Sequence, residues 1–188
     1  MQAKSRARIA TLAALALVAL ATASCFKHTN EDAASLRAKE VDLVARGEYL
    51  VRAIGCADCH TPGTWYGQPD SKRLLSGSEV GWSGPWGTTY PRNLTPDSTT
   101  GIGKWSEQDI VNALHQGRRP DGTALLPPMP WFDFVWLNEE DAHAIARYLK
   151  TLPAISHKVP DKLPPGVKPK GAFWQLPPAP AWDAPRNP

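Results

Sequence analysis

The 188 residues are 42% hydrophobic and 21% charged, which suits one modest globular domain and is too polar for a bundle of membrane helices. Eight tryptophans exclude a wholly disordered chain, while 19 prolines and 14 glycines point to long loops. The formal charge of +3 comes entirely from Lys4, Arg6 and Arg8; the rest is neutral, so no basic footprint for nucleic acid exists.

Residues 1–24 have the three-part layout of an export signal. Three cations lie in residues 1–8, residues 9–21 are an uncharged run of mostly Ala, Leu and Val, and Thr22-Ala23-Ser24 are small. The apolar run is too short for a membrane span, which takes about 20 residues. Ala21-Thr22-Ala23 is an A-x-A cleavage site, which releases a soluble protein. The stretch Ala21 to Cys25 also resembles a bacterial lipobox, with Thr22 where that motif usually has Leu. A lone cysteine beside a signal site otherwise lacks a purpose, so the expectation is lipidation at Cys25 and tethering to a membrane surface. Residues 25–39 read as a linker.

The first helix is expected over 40–55, where Leu43, Gly47, Leu50, Val51 and Ile54 form one stripe. Gly47 weakens a helix, so its place in the stripe implies a close crossing by another helix.

Cys56-Ala57-Asp58-Cys59-His60 is C-x-x-C-H, the attachment pattern for c-type haem. Two thiols at this spacing can each add to one vinyl group, and the adjacent histidine supplies the fifth iron ligand. Three other readings exist. A thioredoxin-like redox pair needs a βαβ pattern, which is missing. A structural zinc site needs more ligands. A structural disulfide suits an exported chain but does not need His60.

Residues 61–105 lack periodicity and hold eight glycines and four tryptophans. A loop this long argues against a compact domain unless something serves as its core, a part a covalent haem can play. Its tryptophans are then expected on the porphyrin edge, or else as ordinary packing residues. Two short strands are expected near Val80 and Thr88. A second helix is expected over 106–116, with Ser106 as N-cap and Asp109 three residues on.

Met129 is the one methionine left once Met1 goes with the signal. It lies in Leu126-Pro127-Pro128-Met129-Pro130-Trp131, a proline-stiffened loop able to present one side chain. That makes Met129 the candidate sixth iron ligand, ahead of His28, His115, His143 and His157. A gap-filling core methionine is the alternative. A third helix is expected over 138–151, capped by Asn138, with Glu139, Glu140 and Asp141 in its first turn and Ala142, Ile145, Ala146 and Leu149 facing inward. Tyr148 is the natural partner for the groove at Gly47. Beyond Pro153 the chain is proline-rich and reads as an extended wrap over the domain or a partner-binding arm. The sequence contains no second C-x-x-C-H.

The order helix, C-x-x-C-H, long loop, helix, Pro-Pro-Met-Pro, helix resembles class I c-type cytochromes over about residues 42–153. Arg46-Gly47-Glu48-Tyr49-Leu50, Asn93-Leu94-Thr95-Pro96-Asp97, Thr100-Gly101-Ile102-Gly103-Lys104-Trp105-Ser106 and Pro127-Pro128-Met129-Pro130 resemble the haem domains in cytochrome subunits of bacterial membrane-bound alcohol, gluconate and aldehyde dehydrogenases. The resemblance implies a mainly α cytochrome c fold over 40–153. Three to four helices would surround one covalent haem c, with long loops and a proline-rich extension over 154–188. It implies thioether bonds at Cys56 and Cys59, His60 as proximal ligand and Met129 as distal ligand. It also implies a hydrogen bond from His60 to backbone near Pro91, and places Asn93 and Trp105 as candidates at the haem edge, with loop shaping as their alternative role.

A six-coordinate His/Met haem has no open position for a substrate. The expected function is single-electron transfer by a periplasmic monohaem cytochrome c in a respiratory chain. A dehydrogenase or quinol-linked complex would be the donor, and an oxidase or another cytochrome the acceptor. The alternatives are a dedicated subunit of a membrane-bound dehydrogenase, a haem enzyme or gas-binding module if Met129 is not a ligand, and a zinc or disulfide protein without haem.

Overall fold

A computed structural model of the chain describes residues 32–176. The expected export signal over 1–24, the lipidation candidate Cys25 and the start of the linker lie outside the described residues. The first helix, α1, runs over 32–53 of the described residues, against the expected 40–55. The chain is already helical before residue 40 because Ala33, Ala34, Leu36, Arg37, Ala38 and Lys39 are strong helix formers even without an apolar stripe. The helix stops early because Gly55 takes the left-handed conformation (φ +74°) and turns the chain into the next element.

The chain divides into two compact units, the first ending at Asp42 and the second starting at Leu43. The described part of the first, 32–42, is helical and exposed at every position. All other elements belong to the second. After α1 come α2 (Cys56–His60), 3₁₀ turns at Thr64–Tyr66 and Ser71–Arg73, strands β1 (Gly81–Gly84) and β2 (Gly87–Thr89), helices α3 (Glu107–Gln116), α4 (Trp131–Phe134) and α5 (Glu139–Thr151), and strand β3 (Phe173–Gln175). The fold is mainly helical, as expected.

Helices α3 and α5 pack on each other, and α4 packs on α3. Their termini are built as the sequence implies. Ser106 accepts from the Asp109 amide at 3.1 Å while the Asp109 carboxylate accepts from the Ser106 amide at 2.8 Å, a reciprocal capping box. Asn138 accepts from the Asp141 amide at 2.7 Å. The core collects Leu50 and Val51 from α1, Ile110, Val111 and Leu114 from α3, Phe134 from α4, and Ala142, Ile145, Ala146 and Leu149 from α5. Burying each large aliphatic side chain is worth about 1.5–3 kcal/mol.

At Gly47 a Cβ would overlap the Ala144 carbonyl and come within 2.8 Å of the Tyr148 Cβ. The backbone of α1 therefore touches α5, and glycine is what permits the contact. The preceding residue, Arg46, ties the same two helices together through two hydrogen bonds to Asp141, at 2.8 and 3.2 Å. The guanidinium holds the Asp141 carboxyl below the usual carboxylate range.

The two expected strands exist as an antiparallel hairpin, Trp82 opposite Thr89. The sheet has a third member the sequence did not announce. Strand β3 pairs parallel with β1, Trp82 opposite Trp174, giving the order β2-β1-β3. The segment beyond Pro153 thus wraps the domain. On its way Ile155 and His157 bond to the 93–100 loop, and Leu163 exchanges two backbone hydrogen bonds with Thr88, each 3.0 Å. No helix among the described residues is long and apolar enough to cross a membrane.

Candidate functional site

The C-x-x-C-H motif is itself a helix. Gly55 precedes it and Asp58 lies in its first turn, so Cys56 and Cys59 stand one turn apart on α2 and His60 ends it. Cys56 and Cys59 are both free thiols and half-buried. Burial pushes the Cys56 thiol up to about 12, so it stays neutral, and pushes Cys59 upward as well. Cys56 and Ala57 pack against the main core. Among the described residues no group of three or more His, Cys, Asp or Glu gathers as a metal cluster.

His60 is buried. Its Nδ1 lies 2.6 Å from the Arg92 carbonyl oxygen. A carbonyl only accepts, so Nδ1 carries the proton and donates, and Nε2 keeps its lone pair. Burial lowers the imidazole pKa, with the Arg92 bond opposing, so the ring is held neutral. The acceptor was expected near Pro91 and is the next residue in the chain.

Three further bonds pin the loop that leaves the motif. The Gly77 amide donates to the His60 carbonyl at 2.7 Å, the Leu75 amide donates to Thr61 Oγ1 at 3.1 Å, and Thr64 Oγ1 donates to the Thr61 carbonyl at 3.1 Å. Such anchors had no signature in the sequence, because backbone groups carry none.

Met129 is half-buried and packs against the same core as Cys56, as do Leu94 and Trp105. Its backbone amide donates to the Leu126 carbonyl, so the proline run closes as a turn around it. Lys150, on α5, fixes the loop that carries Trp105. Its ammonium donates to the carbonyls of Gly103 at 3.1 Å and Trp105 at 2.8 Å. Sequence reading passed over Lys150, since a lysine in a last helical turn is ordinary.

Asn93 is fully buried, and its side chain is spent on the loop. The amide nitrogen donates to Thr100 Oγ1 and the Ile155 carbonyl, and Oδ1 accepts from the Thr95 amide and hydroxyl. That is the loop-shaping role. Of the four loop tryptophans, Trp65 and Trp82 pack on Trp174 of β3, with ring centroids 6.0 and 6.3 Å away. They are packing residues of the sheet, the second of the two roles open to them. Trp86 lies against Gly84, where a Cβ would meet its ring at 2.6 Å.

The candidate donors are two neutral thiols one helical turn apart, Cys56 of them packed on the core, a neutral imidazole with one nitrogen committed and one lone pair free, and a thioether packed on that same core. This set fits a haem held by two thioether bonds and two axial ligands, and its soft and neutral members suit iron better than a hard cation.

The cytochrome c family model matches residues 44–153. The chain is similar to the cytochrome c subunit of the quinone alcohol dehydrogenase of Gluconobacter oxydans, 37% identical over 63% of this chain and 24% of that one. It is 40% identical to the gluconate 2-dehydrogenase cytochrome c subunit of Pantoea cypripedii, over 56% of this chain and 22% of that one. It is 33% identical to the fructose dehydrogenase cytochrome subunit of Gluconobacter japonicus, over 71% and 27% respectively. The matched region thus spans about a quarter of each of these relatives.

Proposed function

The chain belongs to the cytochrome c family, whose members transfer electrons through haem, and we propose that it is an exported carrier of single electrons with one His/Met-ligated haem c. The observation that carries the reading is the His60 geometry. A buried imidazole whose Nδ1 is committed to a backbone carbonyl is an axial ligand with its tautomer and orientation already set.

In this reading Cys56 and Cys59 hold the group covalently, each thiol adding across one vinyl substituent. His60 offers Nε2 and Met129 offers its sulfur. When bound, the haem supplies a reversible one-electron change at iron. The protein's part is to keep that change cheap. The Arg92 carbonyl holds the His60 ring, the Leu126–Trp131 turn holds Met129, and Lys150 holds the loop bearing Trp105. Trp105 borders the core at the haem edge, while Asn93 braces the loop behind it. His60 and Met129 would hold the iron from within the chain and would leave no site for a substrate, the chemistry of an electron carrier rather than an enzyme.

Export through residues 1–24 places the carrier in the periplasm, and lipid on Cys25 tethers it to the membrane surface. Donors are dehydrogenases or quinol-linked complexes, and acceptors are oxidases or other cytochromes. A second reading is favoured by the relatives named as cytochrome subunits of alcohol, fructose and gluconate dehydrogenases. In it this chain is the dedicated electron-accepting subunit of such a complex.

One experiment tests both readings. Native membranes are extracted gently with detergent and the covalent-haem band is followed on a native gel. Release by detergent but not salt, with migration alone, fits a lipid-anchored carrier. Migration with a large dehydrogenase subunit fits the second reading. A colourless protein from a host able to mature c-type haem defeats both.

A further inference from the structure

The turn that follows Met129 is built inside out. In α4 and its continuation, Phe134 is buried and Leu137 packs on the core. Their opposite face should be polar. Instead Phe132 is 58% exposed, Val135 47% and Trp136 87%. Residues at spacings of three and four share a face of a helical turn, and the turn does continue, since the Trp136 amide donates to the Asp133 carbonyl and that of Leu137 to Phe134. Three large apolar side chains therefore stand together in water, beginning three residues from Met129.

The charged side chains of their own segment carry one sign. Asp133, Glu139 and Glu140 are exposed around them. No lysine or arginine occurs from Pro120 to Ala146. The bases nearby have partners of their own: Arg46 is bonded to Asp141, the exposed Arg118, next to the Gly117 that touches Trp131, donates to the Gly122 carbonyl at 3.0 Å, and His115 and His143 lie 3.6 and 4.0 Å from Glu139. An acidic rim is repelled by an anionic bilayer surface and attracted by a basic protein. A central tryptophan ringed by polar groups is the usual anatomy of a protein contact.

We propose that Phe132, Val135 and Trp136 form the docking face for a redox partner protein that presents an apolar recess with a basic rim. This rests on the electron-transfer reading above, and it adds the partner's chemistry and the place where it lands.

The test is stopped-flow electron exchange between the reduced holoprotein and a strongly basic single-haem cytochrome, with hexaammineruthenium as a small-reagent control. Trp136→Ser should slow exchange with the basic protein about tenfold at low salt. The double variant Asp133→Asn/Glu140→Gln should flatten the salt dependence of that rate. Both should leave the reduced spectrum unchanged, and the neutral substitution Trp136→Ser should leave the ruthenium reaction unchanged as well. Unaltered exchange with the basic protein in these variants overturns the docking face. So does Trp136-dependent sedimentation with phosphatidylcholine/phosphatidylglycerol vesicles, or a dimer that Trp136→Ser converts to monomer. A wild-type protein with no haem spectrum overturns the electron-transfer reading as well; a normal spectrum with unaltered rates overturns the docking face alone.

Discussion

The smallest unit of the site is one hydrogen bond, from His60 to the carbonyl of Arg92, 2.6 Å long and shielded from water. Sequence reading found His60 because the motif names it, and found the region of its acceptor only through family resemblance. A carbonyl is common to every residue, so no side chain could have marked Arg92. Met129 stood out as a candidate for the opposite reason, being the single methionine besides Met1. Its replacement separates the readings. Met129→Ala should keep the covalent haem, let the reduced protein bind carbon monoxide, and lower the reduction potential by on the order of 0.1 V, within the ~0.8 V that axial ligands command. An unchanged potential with no carbon monoxide binding would exclude Met129 as a ligand. Lys150 belongs to this scale too: a single ammonium on two loop carbonyls, invisible until the loop and helix are placed side by side.

Among the elements, the helices were readable because their signals are local. Ser106 and Asp109 are three residues apart and cap each other; Asn138 does the same for α5. The contact between α1 and α5 was readable from a glycine in an apolar stripe. Gly47→Ala should destabilise the fold by about 1–3 kcal/mol, because its methyl would meet the Ala144 carbonyl, a backbone atom that cannot swing aside. Thermal melting of the oxidised protein checks this, and a Tm equal to that of the parent would mean the helices separate at no cost. The neighbouring Arg46–Asp141 pair should show in the acid limb of stability. Asp141 has its folded pKa depressed, mainly by the Arg46 hydrogen bonds, so its contribution is present above about pH 3.9 and is lost as pH falls through the lower folded value. Arg46→Leu should therefore make stability fall less steeply between about pH 5 and 3. Urea melts across that range measure the slope, and a slope matching the parent's would remove the pair from the account.

Across the whole molecule, legibility ended where pairing became long-range. The hairpin was expected, yet β3 lies about ninety residues beyond β1, and Phe173-Trp174-Gln175 carries no turn signal to mark it. The loop over 61–105 looked too long to be ordered without a cofactor. Part of its order instead comes from the tail, through Leu163 on Thr88 and Trp174 against Trp65 and Trp82. Ending the chain at Lys170 removes β3 and should cost about 2–3 kcal/mol, from one strand's pairing and the two ring contacts of Trp174. Amide exchange should quicken at Gly81, whose N–H donates to the Ala172 carbonyl at 2.9 Å, while α3 and α5 stay protected and haem still attaches. Equal loss of protection in the helices would show that sheet and helices melt as one body. The topology also sets a clock. β1 is the middle strand and its parallel neighbour is the last of the three to be synthesised. In the proposed exported carrier, a chain threading outward N-terminus first would offer Cys56 and Cys59 long before Trp174 arrives, so haem would attach to an unlatched chain and the tail would close behind the finished product.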